Sequence, residues 1–212
     1  MPVDKGDVSL LFELLHKVSG ESLPAALCLA SFLAEHMGKY TGHAMHHRTQ
    51  LLTLSHPSQA AMASARQYDN LAPQMPSLGA EPSARLGIVE LQFLRYFHGE
   101  RISWRTVTDT LNVLATQFRQ IPDAGDREGS AHAMLAFAYL QQAQRQPHSE
   151  TGEKHAQILF ARADASFQRA ITMLGMAYEL PDIVDIVRPV SPEIVEEILG
   201  TQHEGQRVPA SA

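Results

Sequence analysis

The sequence contains few of the residues that define several common classes of protein. Its 212 residues include one cysteine, Cys28, so no disulfide can form within the chain and a disulfide-framed secreted domain is excluded. A lone cysteine can be a reactive thiol, but unpaired cysteines are more often small buried residues. Because Cys28 lies within an apolar segment, we expect it to be an inert residue of the core.

Long hydrophobic runs are also missing. The longest apolar run, residues 23–34, is too short to span a bilayer. The residues before it lack the basic start of a signal peptide, and neither end of the sequence resembles a lipidation signal. These absences predict a cytoplasmic or otherwise intracellular protein that does not bind membranes.

Basic residues are too few and too scattered for a surface that binds nucleic acid. The chain has 17 Lys and Arg against 23 Asp and Glu, a formal net charge of −6, whereas phosphate binding needs clustered cations. The nearest approach to a basic cluster is the loose set Arg95, Arg101 and Arg105. We therefore expect no binding to nucleic acid.

Sequence motifs of catalysis and of cofactor binding are missing as well. The chain has no glycine-rich nucleotide loop, no Gly-x-Ser-x-Gly, no His-Glu-x-x-His and no pair of cysteines. A catalytic triad assembled from distant residues would leave no local pattern, so this absence argues only weakly against an enzyme. The expectation is a protein without catalytic residues and without a cofactor.

What the sequence does contain is repeated helical periodicity. Apolar residues recur at spacings of three and four along most of the chain. The clearest series is Trp104, Val107, Leu111, Leu114, Phe118 and Ile121. Ser22 and Ser103 precede two such series in the position of an N-cap, and strand signals are nearly absent. The pattern predicts an all-α fold, either an antiparallel helical bundle or a short solenoid of helix hairpins, with about seven to nine helices.

Glycine, proline and capping residues place the ends of these helices. The predicted helices cover residues 8–19, 23–44, 58–68, 86–98, 104–121, 130–144, 153–178 and 191–199. Gly38 and Gly42 weaken the second of these helices and could break it.

A segment rich in proline and glycine, residues 70–83, separates two sets of helices and predicts a linker or a long surface loop. The predicted division is an N-terminal helical unit over residues 1–69, the linker over 70–83, a C-terminal helical unit over 84–200 and a disordered tail over 201–212. The two helical units could equally belong to one domain.

Small and aromatic residues recur at fixed spacings in the last two long helices. They are Leu135, Ala136 and Tyr139 in the first helix and Ala163, Phe167 and Ala170 in the second. This helix pair, mainly residues 130–178, resembles a tetratricopeptide repeat, in which small residues admit the neighbouring helix and an aromatic fills the gap between hairpins. The resemblance implies stacked hairpins with a concave surface that binds a peptide or a protein. The pair departs from the family in its connection, which is too long for a period of about 34 residues, and in Gly175, which stands where the family has Pro.

Arg, Tyr and Trp contribute most of the binding energy at protein interfaces. On that basis the predicted partner-binding residues are Tyr96, Arg101, Trp104, Arg105 and Tyr139. The predicted function is non-catalytic binding of another protein, as an adaptor, a chaperone-like protein or a regulatory subunit. The alanine-rich helices could equally form a homodimer interface.

Four aromatic residues at helical spacing have two interpretations. Phe93, Phe97, Trp104 and Phe118 could line a ligand cleft, but a stripe of this kind is more often part of the core.

Histidine supplies the alternative function. His36, His43 and His47 are separated by steps of seven and four, which return to nearly the same face of a continuous helix. Neutral imidazoles in this arrangement can bind zinc or another transition metal. The alternative prediction is therefore a metal-dependent helical-bundle enzyme or sensor, and the plainer interpretation is a set of partly exposed boundary histidines.

Overall fold

A computed structural model of the chain describes residues 5–55, 82–180 and 182–183. These residues form seven α-helices and one 3₁₀ turn, with no β-strand among them. The elements are α1 (Lys5–Glu21), α2 (Leu23–His36), η1 (Gly38–Tyr40), α3 (Thr41–Leu54), α4 (Pro82–Phe97), α5 (Trp104–Phe118), α6 (Gly125–Ala143) and α7 (Glu150–Ala177). The predicted all-α helical fold is confirmed. The predicted helices over residues 58–68 and 191–199 and the tail over 201–212 lie outside the described residues, as does most of the predicted linker.

Capping serines precede α2, α5 and α7. The Ser22 hydroxyl accepts a hydrogen bond from the Ala25 amide at 3.3 Å, and Pro24 lies in the first turn of α2. Ser103 accepts from the Thr106 amide at 3.4 Å at the start of α5. A cap of this kind satisfies one of the amides that the first turn leaves unpaired. Both predicted N-caps are therefore confirmed.

Helix α2 lies at the centre of the bundle. Residues 24–34 are all buried, and the helix packs against α1, α3, α4 and α6. Phe32 of α2 stacks on Phe167 of α7, with the ring centroids 4.5 Å apart. A single hydrophobic core therefore contains side chains from all three described ranges of the chain. Within those parts, no helix combines the length and the apolar character needed to cross a membrane.

The chain breaks between α2 and α3, where the periodicity predicted one helix. Helix α2 ends at His36, and Met37 leaves the helical conformation with φ −105° and ψ 75°. The turn η1 follows, and the Thr41 hydroxyl at the start of α3 donates to the Ala34 carbonyl oxygen at 3.1 Å. The prediction of a continuous helix to Ala44 was therefore wrong. The break lies next to Gly38, one of the two glycines expected to weaken the helix.

Two other helix ends differ from the prediction. Helix α5 ends at Phe118, and Ile121, predicted as its last apolar residue, is exposed in the following turn. Pro122 disfavours a helical conformation at the residue before it. Helix α6 begins at Gly125 rather than near residue 130, because Gly125 and Gly129 face α7 and allow close packing there. Pro82 and Ser83, predicted as the end of the linker, are the first residues of α4.

Candidate functional site

An open cleft of about 660 Å³ lies where the end of α4 and the turn after it meet α3 and the end of α6. We call it the arginine cleft. Its lining residues are Arg48, Tyr96, Phe97, Gly99, Glu100, Arg101, Ile102 and Arg145.

The turn after α4 forms one side of the arginine cleft. Gly99 adopts φ +92°, a conformation that costs little only for glycine, and the Glu100 amide donates to the Arg95 carbonyl oxygen at 3.0 Å. The Glu100 carboxylate accepts from Arg95 Nε at 3.0 Å and lies 2.9 Å from its Nη2. The one carboxylate that lines the cleft is therefore already compensated by a buried guanidinium.

A contact between His98 and Ser55 holds this turn against the end of α3. The Nε2 atom of His98 lies 3.2 Å from the Ser55 hydroxyl and also contacts the Ser55 carbonyl oxygen. Because Ser55 is the C-cap residue that follows Leu54, the contact brings Arg48 of α3 to the cleft.

Three arginines from separate parts of the chain face the cleft. The Arg48 guanidinium lies 6.0 Å from the centre of the Phe97 ring, and the Arg145 guanidinium lies 5.3 Å from the centre of the Trp104 ring. Arg101 is exposed in the turn. None of the three forms an ion pair with a carboxylate of the described residues. The Nε atom of Arg48 is buried and has no hydrogen-bond partner among those residues. The lining of the cleft is therefore positively charged.

Aromatic rings support the cleft from behind. Trp104 is 5% exposed, and its ring lies edge-on to Tyr96 at a centroid distance of 4.7 Å. The rings of Phe93 and Phe137 also contact the Trp104 ring edge-to-face, each at a centroid distance of 5.9 Å. Of the predicted aromatic group, Phe93, Trp104 and Phe118 belong to the core, whereas Phe97 lines the cleft. Phe137, which no sequence pattern indicated, also belongs to the core.

Tyr96 connects the cleft to a chain of hydrogen bonds. Its hydroxyl donates to Gln141 Oε1 at 2.9 Å, and Gln141 Nε2 donates to Glu35 Oε2 at 3.1 Å. Burial raises the pKa of the Tyr96 phenol, against the opposing charges of Arg145 and Arg48. Tyr96 is therefore neutral at physiological pH and serves as a hydrogen-bond donor.

The structure brings only some of the predicted partner-binding residues together. Tyr96 and Arg101 line the arginine cleft, whereas Arg105 is exposed on α5 outside it. Trp104 lies behind the cleft, and Tyr139 is 6% exposed with its hydroxyl accepting from Asn112 Nδ2 at 2.8 Å. The rings of Trp104 and Tyr139 are thus buried in the core and are not available for direct contact with a partner.

The three predicted metal ligands do not converge. His36 Nε2 lies 2.8 Å from Asp164 Oδ1, and its ring stacks on Phe160. His43 and His47 pack instead against Phe12, at centroid distances of 5.8 and 5.4 Å. Within the described ranges, no three His, Cys, Asp or Glu side chains are grouped so that they could hold a metal ion. The predicted zinc-binding set is therefore not assembled, because the break after His36 separates it from the other two histidines.

A second cluster of charges surrounds Glu128 near the start of α6. Its carboxylate is 3% exposed and lies 3.0 Å from Arg169 Nη2, 3.2 Å from Arg119 Nε and 3.8 Å from His132 Nε2. His132, together with the hydrogen bonds from Arg169 and Arg119, lowers the pKa of Glu128 to about 2, against the opposing effect of burial. Burial lowers the pKa of His132, which favours the neutral imidazole. This cluster connects α5, α6 and α7 through a buried carboxylate.

Comparison with known proteins gives no relative. No protein-family model matches the sequence, and neither the curated proteins nor the solved structures contain a significant match. The tetratricopeptide resemblance of α6 and α7 therefore stays a prediction. Its small residues Ala136, Ala163 and Ala170 are fully buried, as close packing of two helices requires.

Proposed function

We propose that this chain is a non-catalytic protein that binds another protein at a surface centred on the arginine cleft. The observation that supports the proposal is an open cleft in which three arginines lie beside Tyr96 and form no ion pair with the carboxylates that the structure describes. Arginine and tyrosine are the side chains most enriched among the residues that dominate protein interfaces.

The arrangement of the cleft fits binding better than catalysis. Its side chains are guanidiniums and aromatic rings, and its one carboxylate is paired with Arg95. General acid–base chemistry needs a group that changes its protonation near neutral pH, whereas arginine stays charged and Tyr96 stays neutral. The guanidiniums can instead orient and hold the polar groups of a partner.

Within this proposal the chain acts as an adaptor, a chaperone-like protein or a regulatory subunit. The hairpin of α6 and α7, which resembles a tetratricopeptide repeat, contributes Arg145 to the cleft from the turn after α6. The proposal includes a cytoplasmic or otherwise intracellular location, which the single unpaired cysteine fits. No observation favours the metal-dependent alternative, and we do not propose it.

The test is capture of the full-length protein with its partners from its own cells, followed by mass spectrometry. We expect one stoichiometric partner with the wild-type protein and with Arg105→Gln, and a clear loss of it with the double variant Arg48→Gln, Arg101→Gln. Arg105 is the matched control because it is an exposed arginine close in sequence but outside the cleft. Absence of any stoichiometric partner would overturn the proposal, as would a chain that associates only with a second copy of itself.

A further inference from the structure

We propose that the arginine cleft binds an acidic segment of the partner protein, in which two or more Asp or Glu carboxylates are paired with Arg48, Arg101 and Arg145. The inference rests on the proposed function and specifies the chemistry of the ligand.

The first argument is charge complementarity. The chain as a whole has a formal net charge of −6, yet the cleft is lined by three arginines and a single carboxylate that Arg95 already neutralises. A local surface of opposite sign attracts acidic ligands and speeds their association. The arginine cleft is therefore a site at which an otherwise acidic protein can accept a negatively charged partner.

The second argument is the orientation of the guanidiniums. Arg48 lies over the Phe97 ring and Arg145 over the Trp104 ring, so an aromatic surface restrains each side chain before a ligand binds. A restrained guanidinium loses less conformational entropy on binding, and its N–H groups match the two oxygens of a carboxylate.

The third argument favours separate carboxylates over a single phosphate. The three arginines come from α3, from the turn after α4 and from the turn after α6, which places them to meet charges spread along a segment. Phe97 and Ile102 add apolar surface for the stems of its side chains.

The chain contains its own reporter for this site. Trp104 is its single tryptophan, and the Arg145 guanidinium lies on its ring. A ligand that draws Arg145 away from the ring should change the tryptophan fluorescence, and this change would locate binding at the arginine cleft.

The experiment titrates the full-length protein with a labelled synthetic peptide of alternating Glu and Leu and with the same peptide carrying Gln in place of Glu. Binding is measured by fluorescence anisotropy and by Trp104 emission. We expect the Glu peptide to bind and to change the emission, the Gln peptide to do neither, and added salt to weaken binding. Arg48→Gln and Arg145→Gln should each weaken binding about tenfold, while Arg105→Gln should leave it unchanged. Arg101 is exposed, so Arg101→Glu should leave the fold unchanged. This charge reversal should weaken binding of the Glu peptide.

Three results would overturn the inference. They are equal binding of the Glu and Gln peptides, binding that the cleft variants do not alter, and binding of inorganic phosphate or ATP without binding of the Glu peptide. Failure here is distinguishable from failure of the proposed function. A cellular partner that the wild-type protein captures and the double variant Arg48→Gln, Arg101→Gln loses, together with equal binding of the Glu and Gln peptides, would leave the proposed function in place and remove the acidic ligand. Binding of the Glu peptide without any cellular partner would do the reverse.

Discussion

Glu128 of α6 accepts hydrogen bonds from Nε and Nη2 of Arg169 on α7, at 3.1 and 3.0 Å, through a single carboxylate oxygen. The acceptor is almost completely buried, whereas Arg169 is 40% exposed. The pair fixes two helices at one register, and it keeps the negative charge inside the bundle only because cations surround it. The contribution of this pair to the free energy of unfolding can be measured directly.

Replacing the buried carboxylate should destabilise the fold. The lowering of the Glu128 pKa from 4.5 to about 2 corresponds to roughly 3 kcal/mol. We expect Glu128→Gln to lower the free energy of unfolding by about 2–3 kcal/mol at neutral pH, measured by urea denaturation. Asp109→Asn, at an exposed position on α5, is the control and should change stability by less than about 0.5 kcal/mol. Equal effects of the two substitutions would contradict a special role for the buried ion pair.

The contribution of Glu128 should depend on pH in a defined direction. Its carboxyl titrates near 4.5 when unfolded and near 2 when folded, so the unfolded chain takes up the proton first. The stabilisation is therefore fully present above about pH 4.5 and is lost as the pH falls toward 2. Urea unfolding at a series of pH values should show a wild-type advantage over Glu128→Gln that is constant at higher pH and shrinks below about 4.5. An advantage that persists undiminished at about pH 2.5 would argue against this charge as its source.

Cys28 should be chemically silent in the folded protein. Its side chain is fully buried, and burial raises the pKa of the thiol well above its usual value, so little thiolate forms and reagents cannot reach it. We expect no reaction with a thiol reagent such as Ellman's reagent on the timescale of minutes. One thiol per chain should react fully in concentrated guanidinium chloride. Fast reaction without denaturant would show that α2 is accessible, against its central position.

Substitution by alanine at two helical glycines should change the free energy of unfolding in opposite directions. A Cβ at Gly129 would lie 2.6 Å from Leu174 Cγ and 3.2 Å from the Leu174 amide nitrogen, and Leu174 is fully buried. A Cβ at Gly87 in α4 would meet nothing within 4 Å. We expect Gly129→Ala to destabilise the protein by about 1–2 kcal/mol through overpacking. Gly87→Ala should stabilise it by about 0.5–1 kcal/mol through helix propensity. Thermal unfolding of both variants is the measurement, and stabilisation by Gly129→Ala would show that α6 and α7 are not in close contact there.

The helical fold could be predicted from the sequence because its determinants are local. Ser22 and Ser103 cap helices where a serine precedes an apolar series, and Gly99 closes α4 with a positive φ. The start of α6 could not be predicted, since Gly125 and Gly129 resemble loop residues until α7 is placed against them. Tertiary packing overrides local propensity at that point.

The candidate site was less predictable for the same reason. Residue type alone indicates Arg101 and Tyr96, whereas Arg48 and Arg145 join them from distant parts of the sequence without any shared pattern. The chemistry of Trp104 also indicates a binding residue, but its ring is enclosed by its neighbours. The spacing of His36 and His43 predicts proximity only on an unbroken helix, which Met37 interrupts. Spacing along a chain predicts proximity only while the secondary structure continues.

The stacking of Phe32 on Phe167 has a consequence for synthesis on the ribosome. Helix α2 reaches its final environment only when α6 and α7 are available to cover it. About 135 residues separate the two rings. At a synthesis rate of roughly 5–20 residues per second, the apolar surface of α2 therefore stays uncovered for about 7–27 s until Phe167 has been added. During that interval the nascent chain exposes the apolar side chains of α2 that the folded protein buries. The N-terminal helices of this protein are therefore expected to depend on a chaperone at the ribosome before the rest of the bundle has been made.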